Sequence, residues 1–414
     1  MDSKEAINEL MTQYPAFKKL GAGAYKPGLE ATLDLAARFG NPQDRLRTVH
    51  VAGTNGKGTT ASLIAAALQA AGYKTGLYTS PHLTDFLERI RVDGRMIDGE
   101  AIADFMERYH AGRPAGDFRP SFFELTTVMA LEYFAREGVD VAVVEVGLGG
   151  RLDSTNIVRP DLCVITNISM DHTQILGDTP AKIAAEKAGI IKEGVPVVVG
   201  EAAGEVREVF EHTARGKGAP IIFAEDSDTT AASGEERISV DRSPFGAFAT
   251  ELHGAYQATN ARTALTALAE LRRTGYHIGD EAVRTAFARI CDTLHGRWQM
   301  HDGVLCDPGH NEAAWRHTSR YLAAHPGMTA ILGFCADKDL GAIVGMLPAG
   351  VHYYCVAADT PRAMPADELA RMMCGRGLEA TAFGSVRQAV TAAKKEAAGP
   401  IFLGGSFFVV AEYL

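Results

Sequence analysis

Residues 53–60, Gly-Thr-Asn-Gly-Lys-Gly-Thr-Thr, limit the folds open to this chain because they have the form of a phosphate-binding loop. The preceding residues 48–51 are partly β-branched and apolar, as in a strand, and residues 61–71 favour a helix. A glycine turn at a helix N-terminus attracts an anion through its N–H groups and the helix dipole, and Lys57 adds a charge. A glycine is usual where Val51 stands, and a turn that only connects strand to helix is the alternative. The agreement of strand, turn, lysine and helix favours ATP binding.

The composition excludes several classes of protein. The chain has 414 residues, of which 46% are hydrophobic and 22% charged, as in a globular protein of two or three domains. A net charge of −10 without a basic run argues against nucleic acid or an anionic membrane as partner. We see no signal core and no apolar stretch long enough to span a bilayer, so we expect a cytoplasmic protein. The six cysteines are far apart and indicate small buried side chains, not disulfides or a zinc site.

Strand-like and helix-like segments alternate from about residue 46 onward, and the alternation starts again near residue 300. The rhythm predicts an α/β fold: a parallel-sheet ATPase domain with a phosphate loop, followed by a smaller Rossmann-like α/β domain. We expect the domains to cover residues 1–294 and 295–414, with a cleft between them for substrates. Residues 225–248 predict loops and short antiparallel strands.

Polar residues follow the predicted strands at the sheet edge where ligands bind in such folds. Glu145 ends an apolar strand, an arrangement in which a carboxylate holds Mg²⁺ next to a phosphate loop. Ser80 follows another strand, but a Ser-Pro pair equally predicts a helix cap. His172 follows a further strand, and a packed or capping histidine is the alternative to a ligand. These three residues are the candidates for a metal site.

The Gly147-x-Gly149 run does not predict a dinucleotide fingerprint, because Leu152 stands where the third glycine belongs. We expect these glycines to let residues 151–153 fold closely over a ligand.

Several blocks along nearly the whole chain resemble the Mur ligase superfamily, specifically the folylpolyglutamate synthase/dihydrofolate synthase family. The two longest are Glu-Val-Gly-Leu-Gly-Gly-Arg-Leu-Asp-Ser-Thr-Asn at 145–156 and Glu-Lys-Ala-Gly-Ile-Ile-Lys at 186–192. The others stand at 27–30, 50–59, 79–83, 121–124, 166–172, 176–177, 260–261, 296–297, 307–311 and 337–339.

The resemblance implies an ATP-dependent ligase. In that family a carboxylate attacks the γ-phosphate of ATP, and the amine of glutamate displaces phosphate from the acyl phosphate. Catalysis then consists of positioning and charge neutralisation. The resemblance also implies two Mg²⁺ ions. One would be held by Ser80 and Glu145, and the other by His172 and Lys187. The phosphates of ATP would be held by Thr54, Asn55, Gly56, Lys57, Gly58 and Thr59.

Lys187 is implied to be carbamylated, because an ammonium group cannot bind a cation and a carbamate can. The residues alone favour a different interpretation, a solvated helix lysine beside Glu186.

The resemblance assigns further residues to the substrates. Asn260, Arg297 and Asp307 would contact ATP, and His310 would lie near the incoming glutamate. For Arg297 an ion pair at a domain hinge is the alternative. For Phe122 and Phe123, packing within a helix bundle is the alternative to stacking on the pterin ring. The implied pterin-binding residues are Gly28, Leu29, Ser121, Phe122, Phe123, Glu124, Leu152, Asp153 and Ser154.

Two departures from the family pattern, Glu312 and Trp298, affect the expected pocket of the second substrate. The implied partners are ATP, L-glutamate and tetrahydrofolate or dihydropteroate, and we expect a monomer. The alternatives are a ligase for a peptidoglycan precursor and a nucleotide-binding module without activity. A GTPase is disfavoured because residues 336–339 do not form the Asn-Lys-x-Asp motif that reads guanine.

Overall fold

The structure is a computed structural model that describes residues 1–14, 28–112, 120–234, 237–396 and 399–414. It divides into two compact units. Unit 1 comprises Met1–Leu252 and Tyr256–Thr293, and unit 2 comprises His253–Ala255 and Leu294–Leu414.

Unit 1 is built on an eight-stranded sheet in the order β4-β3-β2-β5-β1-β6-β7-β8. Strands β2, β5, β1, β6, β7 and β8 are parallel, and β3 and β4 add an antiparallel edge. The strands are β1 Thr48–Ala52, β2 Thr75–Tyr78, β3 Ile90–Val92, β4 Arg95–Met96, β5 Val141–Glu145, β6 Leu162–Ile165, β7 Val197–Val199 and β8 Ile221–Phe223.

Helices surround this sheet, and a separate antiparallel sheet of three strands follows β8. Its strands are β9 Thr230–Ser233, β10 Ile238–Arg242 and β11 Phe248–Thr250. Among the described residues, the helices of unit 1 are α1 Ser3–Gln13, α2 Glu30–Arg38, α3 Lys57–Ala70, α4 Gly99–Ala111, α5 Phe122–Glu137, α6 Thr173–Leu176, α7 Pro180–Ala188, α8 Glu205–Gly216, α9 Ala255–Arg273 and α10 Asp280–Ala288.

The central strands of unit 1 are buried along their whole length, as expected of parallel strands covered on both faces. One hydrophobic cluster joins β5 to α5, with Val144, Leu125 and Phe134 among its members. A second joins β6 and β7 to α7 and α8, and includes Ile165 and Phe210. The two clusters fix the sheet, and therefore the loops that follow its strands.

Unit 2 contains a six-stranded sheet in the order β12-β13-β17-β14-β15-β16, parallel except for β12. Its strands are β12 Gln299–His301, β13 Val304–Asp307, β14 Thr329–Leu332, β15 His352–Cys355, β16 Ala380–Ala382 and β17 Ile401–Gly404. Its helices are α11 Glu312–Ala324, α12 Leu340–Gly345, α13 Ala366–Cys374, α14 Val386–Glu396 and α15 Phe407–Ala411.

The predicted α/β fold class is confirmed, but the sequence pattern did not show the antiparallel edge strands β3, β4 and β12. Each has only two or three residues, too few for a periodic pattern. No helix of the described residues is long and apolar enough to cross a membrane. The six cysteines are free thiols, and Cys374 is exposed, contrary to the expectation of burial.

Candidate active site

The loop from β1 to α3 needs glycine at two positions. Gly53 and Gly56 have φ of +143° and +82°, in the region that favours glycine. A β-carbon on Gly53 would lie 1.8 Å from Thr166 Oγ1, and one on Gly56 would lie 2.1 Å from Asn260 Oδ1. The loop therefore fits closely between the end of β6 and helix α9. Asn260, a predicted ATP contact, thus lies beside the phosphate loop.

Residues after β6 hold the phosphate loop by hydrogen bonds. Asn167 accepts from Asn55 N at 3.0 Å and donates to Asn55 O at 3.2 Å. Thr166 Oγ1 also donates to Asn55 O, at 2.6 Å, and Thr54 N donates to Asn167 O at 2.9 Å. The sequence showed Thr166 and Asn167 after a strand, but it did not show that they position the loop.

Lys57 and Gly58 begin helix α3, so the ammonium group stands at the positive end of the helix dipole. Lys57 Nζ donates to Gly53 O at 3.0 Å and to Thr54 O at 3.1 Å. Thr59 is almost fully buried. The loop and the first turn of α3 form a concave set of donors suited to an anion.

Glu145 ends β5 directly beside β1, where it pairs in register with Val51. Its carboxylate is buried, and Oε2 accepts from Ser80 N at 2.9 Å. Ser80 precedes a cis peptide bond to Pro81 and does not cap a helix, since the following 3₁₀ helix, Phe86–Arg89, is capped by Asp85. The helix-cap alternative for Ser80 is therefore wrong.

Sequence reasoning missed a buried arginine near this carboxylate. Arg89 Nε donates to His82 Nδ1 at 2.8 Å, and the guanidinium lies over the ring of Phe122, 5.2 Å from its centroid. Burial lowers the pKa of Arg89, while Tyr78, Glu145 and Glu88 act in the opposite direction. Glu145 thus has a cationic neighbour within the protein.

Lys187 is 3% exposed, so the interpretation as a solvated helix lysine is wrong. Burial lowers its pKa to about 7, and repulsion from Lys57 adds to the effect, whereas Asp171, Asp153 and Glu186 oppose it. Glu186 itself forms an ion pair with Arg151, at 2.8 Å.

His172 has a left-handed conformation with φ +49° and occupies the N-cap position of α6 without capping the helix through its side chain. Its Nε2 lies 3.8 Å from Asp171 Oδ1. The ring is partly exposed.

The glycines of residues 147–150 allow close packing against other parts of the protein, in addition to the predicted approach to a ligand. A β-carbon on Gly150 would lie 3.0 Å from Lys187 Cα and 2.8 Å from Glu186 O. One on Gly147 would lie 2.4 Å from the ring of Phe123. The two longest motifs of the sequence are therefore in direct contact.

Asp153 connects this loop to β1 through a buried chain of hydrogen bonds. Asp153 Oδ1 accepts from Thr155 N at 3.0 Å and from its hydroxyl at 2.5 Å, and Oδ2 accepts from Leu148 N at 2.8 Å. Thr155 Oγ1 is 2.8 Å from Nε2 of the buried His50. Leu152 is partly buried, and Ser154 begins the 3₁₀ helix Ser154–Ile157.

The other predicted pterin residues also have structural roles. Ser121 and Glu124 form a capping box at the start of α5. Phe122 belongs to the hydrophobic core, whereas Phe123 is partly exposed. Leu29 is the N-cap residue of α2, Gly28 has φ of +129°, and Pro27 lies outside the described residues.

In unit 2, Asp307 ends β13 and fixes two backbone groups, Trp298 N at 3.1 Å and Gly309 N at 2.9 Å. Arg297 lies over the ring of Phe407, 4.6 Å from its centroid, and His310 also contacts that ring. Arg297 and His310 therefore share the Phe407 ring, which sequence reasoning missed.

Among the described residues, no group of three or more His, Cys, Asp or Glu side chains could hold a metal ion. Each candidate metal site therefore offers only a few protein ligands. Mg²⁺ binding at Ser80, Glu145, His172 and Lys187 stays a prediction.

The Mur ligase middle domain family matches residues 51–268, and the family described as Mur ligase, glutamate ligase domain, matches residues 296–406. A dihydrofolate synthase/folylpolyglutamate synthase of Bacillus subtilis is 36% identical over 83% of this chain and 84% of its own length. The Escherichia coli protein of that name is 35% identical over 99% of this chain and 96% of its own.

A solved structure, E. coli FolC in complex with DHPP and ADP, has a TM-score of 0.85 and 33% identity, covering 100% of this chain and 97% of that one. The chain therefore belongs to the Mur ligase family, among the dihydrofolate synthase/folylpolyglutamate synthase enzymes.

Proposed function

We propose that this chain is a cytoplasmic, ATP-dependent amide ligase that adds L-glutamate to tetrahydrofolate and to 7,8-dihydropteroate through an acyl phosphate. The observation that carries the proposal is that a phosphate loop and the buried Glu145 follow neighbouring parallel strands, with the buried Lys187 near enough to Lys57 for their charges to repel. The names of the B. subtilis and E. coli relatives indicate the substrates.

The phosphate loop would hold the triphosphate. Backbone N–H groups of residues 56–59 and the dipole of α3 would favour the negative charge. The ammonium group of Lys57 now bonds to two loop carbonyls and would turn to the terminal phosphates. Asn167 and Thr166 keep Asn55 in place, so the loop needs little reorganisation when ATP binds.

The residues present fit Mg²⁺. Glu145 and Ser80 offer a carboxylate and a hydroxyl oxygen, which are hard ligands, and the Ser80 N–H orients the carboxylate. When bound, Mg²⁺ neutralises charge on the phosphoryl group during transfer. Arg89 would offset part of the charge of Glu145 in the absence of the cation.

Lys187 would become a ligand of the second Mg²⁺, with His172, after reaction with CO₂. The neutral amine attacks the carbon of CO₂, a C–N bond forms as one C=O π bond opens onto oxygen, and an N–H bond breaks as its proton passes to water, which gives a carbamate anion. Burial favours the neutral amine, and Lys57 offers a positive charge near the carbamate that forms. Gly150, which packs on the backbone of Lys187, would hold the residue in position.

We assign ATP binding to residues 1–294 and glutamate binding to residues 295–414. Asn260 beside the phosphate loop supports its assignment to ATP. Arg297 and Asp307 would contact the nucleotide, and His310 would contact glutamate. Gly28, Leu29, Phe123 and residues 152–154 would hold the pterin.

The experiment is ADP formation measured with dihydropteroate or tetrahydrofolate, each with and without L-glutamate. We expect turnover only when a pterin acid and glutamate are both present, and a product heavier by one glutamyl residue. Glutamate-dependent turnover without either pterin would contradict the folate assignment. Turnover with a peptidoglycan precursor in place of the pterin would favour that alternative.

A further inference from the structure

A pocket of about 400 Å³ lies in unit 1, away from every residue assigned above. It is bounded by helix α3, strands β2 and β3, helix α10 and the segment before residue 294. Its α3 residues begin at Ser62, past the phosphate loop, and run to Ala70 at the other end of the helix. Its volume is within the range of small-molecule sites, roughly 300–1,000 Å³.

The pocket exists because one face of α3 carries small side chains. Ser62, Ala65, Ala66 and Ala70 line it with Gln69, at the three- and four-residue spacing of one helical face. The opposite face of α3 buries larger residues such as Leu63 and Leu68 completely. Helix α10 contributes another small residue, Ala286.

The floor of the pocket, which is its buried lining, is apolar apart from Arg91 and the hydroxyl of Thr75. Ala65, Thr75 and Ala286 are buried there, and Leu77 is partly exposed. Arg91, 9% exposed, is the charged residue of this floor.

Arg91 forms no ion pair with a carboxylate among the described residues, although Glu88 attracts its charge from farther away. Its Nη1 donates to Thr293 O at 3.0 Å, and its Nε has no hydrogen-bond partner there. A buried guanidinium without a carboxylate is costly, and burial lowers the pKa of Arg91. An anionic ligand would supply the missing partner.

The charges around the pocket fit a monoanion. Two arginines and one aspartate line it, so the lining carries a net charge of +1. At the exposed rim, Arg289 pairs with Asp292 at 3.2 Å, so Asp292 is not the partner of Arg91.

We propose that this pocket binds a small organic monocarboxylate, with its apolar body between α3 and α10 and its carboxylate on Arg91. One cation without an ion-pair partner in a mostly apolar floor does not suit a phosphate dianion or a triphosphate, because each would bring excess negative charge. The ligand class is therefore an aliphatic or aromatic acid with a single charge.

The test measures binding of cyclohexanecarboxylate, the probe, to the full chain by saturation-transfer NMR. The neutral cyclohexanecarboxamide is its matched control, and we expect the acid to bind at least tenfold more tightly. Arg91→Met should raise the Kd of the acid at least tenfold, because it keeps the apolar stem and removes the charge. Acid and amide that bind equally would overturn the proposal.

A second variant keeps the test decisive if Arg91→Met destabilises the fold. Ala66→Phe should fill the pocket and abolish binding of the acid, whereas Ala111→Phe, on the exposed end of α4, should leave binding unchanged. Saturating ADP and inorganic phosphate should not displace the probe. Displacement by ADP, displacement by phosphate at equal concentration, or binding that survives Ala66→Phe would each contradict the assignment.

Discussion

The side chain of Asn167 and the main chain of Asn55 exchange two hydrogen bonds, of 3.0 and 3.2 Å, which tie the phosphate loop to the end of the neighbouring strand. This contact sets the position of the loop before any nucleotide arrives. The loop is therefore preorganised by a residue that follows β6, more than a hundred positions along the chain.

Asn167→Ala should weaken ADP binding roughly ten- to thirtyfold, because two hydrogen bonds of about 1 kcal/mol each are lost. Isothermal titration calorimetry measures the change. Asn8→Ala, at an exposed position of α1, is the control and should leave the affinity unchanged. Unchanged ADP affinity in Asn167→Ala would show that the loop holds its shape without this contact.

Gly150→Ala should lower the free energy of unfolding by about 1–3 kcal/mol, because its β-carbon would meet the backbone of Glu186 and Lys187. Denaturant unfolding followed by circular dichroism measures the change. Gly216→Ala is the matched control, since nothing lies within 4 Å of its β-carbon. Equal stability of the two variants would mean that the loop can move away from α7 without cost.

Much of this site can be predicted from the rule that ligands bind where parallel strands end. Glu145, Ser80 and the phosphate loop each lie at the end of a predicted strand. The burial of Lys187 does not follow from the sequence. A lysine beside a glutamate on a helix predicts a solvated face, and only the glycine contact from a distant loop shows why it is buried.

The roles of Arg89 and Asn167 could not be predicted from the sequence either. Their roles depend on which residues the folded sheet brings together, and β3 is too short to be seen in the pattern. Ser121 and Glu124 show the opposite case. Their spacing is a capping-box signature that the sequence contains, but it was assigned only to the substrate.

Lys187→Ala should lower turnover about a hundredfold or more, because the carbamate is lost, and formate or acetate should restore part of it. Lys182→Ala is the control, since Lys182 lies on the same helix and is exposed. A ¹³C NMR signal from ¹³C-bicarbonate should be present in the parent and missing in Lys187→Ala. Full turnover in Lys187→Ala would rule out the carbamate.

His50 should make the protein less stable in acid. Burial lowers its pKa from 6.5 to about 3, so the unfolded chain binds more protons than the folded one between these values. The contribution of neutral His50 to the free energy of unfolding is therefore present above pH 6.5 and is lost as the pH falls. The loss amounts to about 2 kcal/mol between pH 7 and pH 5.

His50→Gln should remove most of that loss, as measured by urea unfolding at the two pH values with circular dichroism. His277→Gln, at an exposed position, should keep the pH dependence of the parent. An identical pH dependence in His50→Gln and the parent would show that His50 does not titrate on unfolding in this range.

The most direct test of the proposed chemistry follows oxygen from the pterin acid to phosphate. Dihydropteroate labelled with ¹⁸O in its carboxylate is turned over with ATP and L-glutamate, and the inorganic phosphate is analysed by mass spectrometry. An acyl phosphate transfers one ¹⁸O to each phosphate released, because the carboxylate oxygen that attacks the γ-phosphorus leaves with it. Phosphate without label would contradict the account.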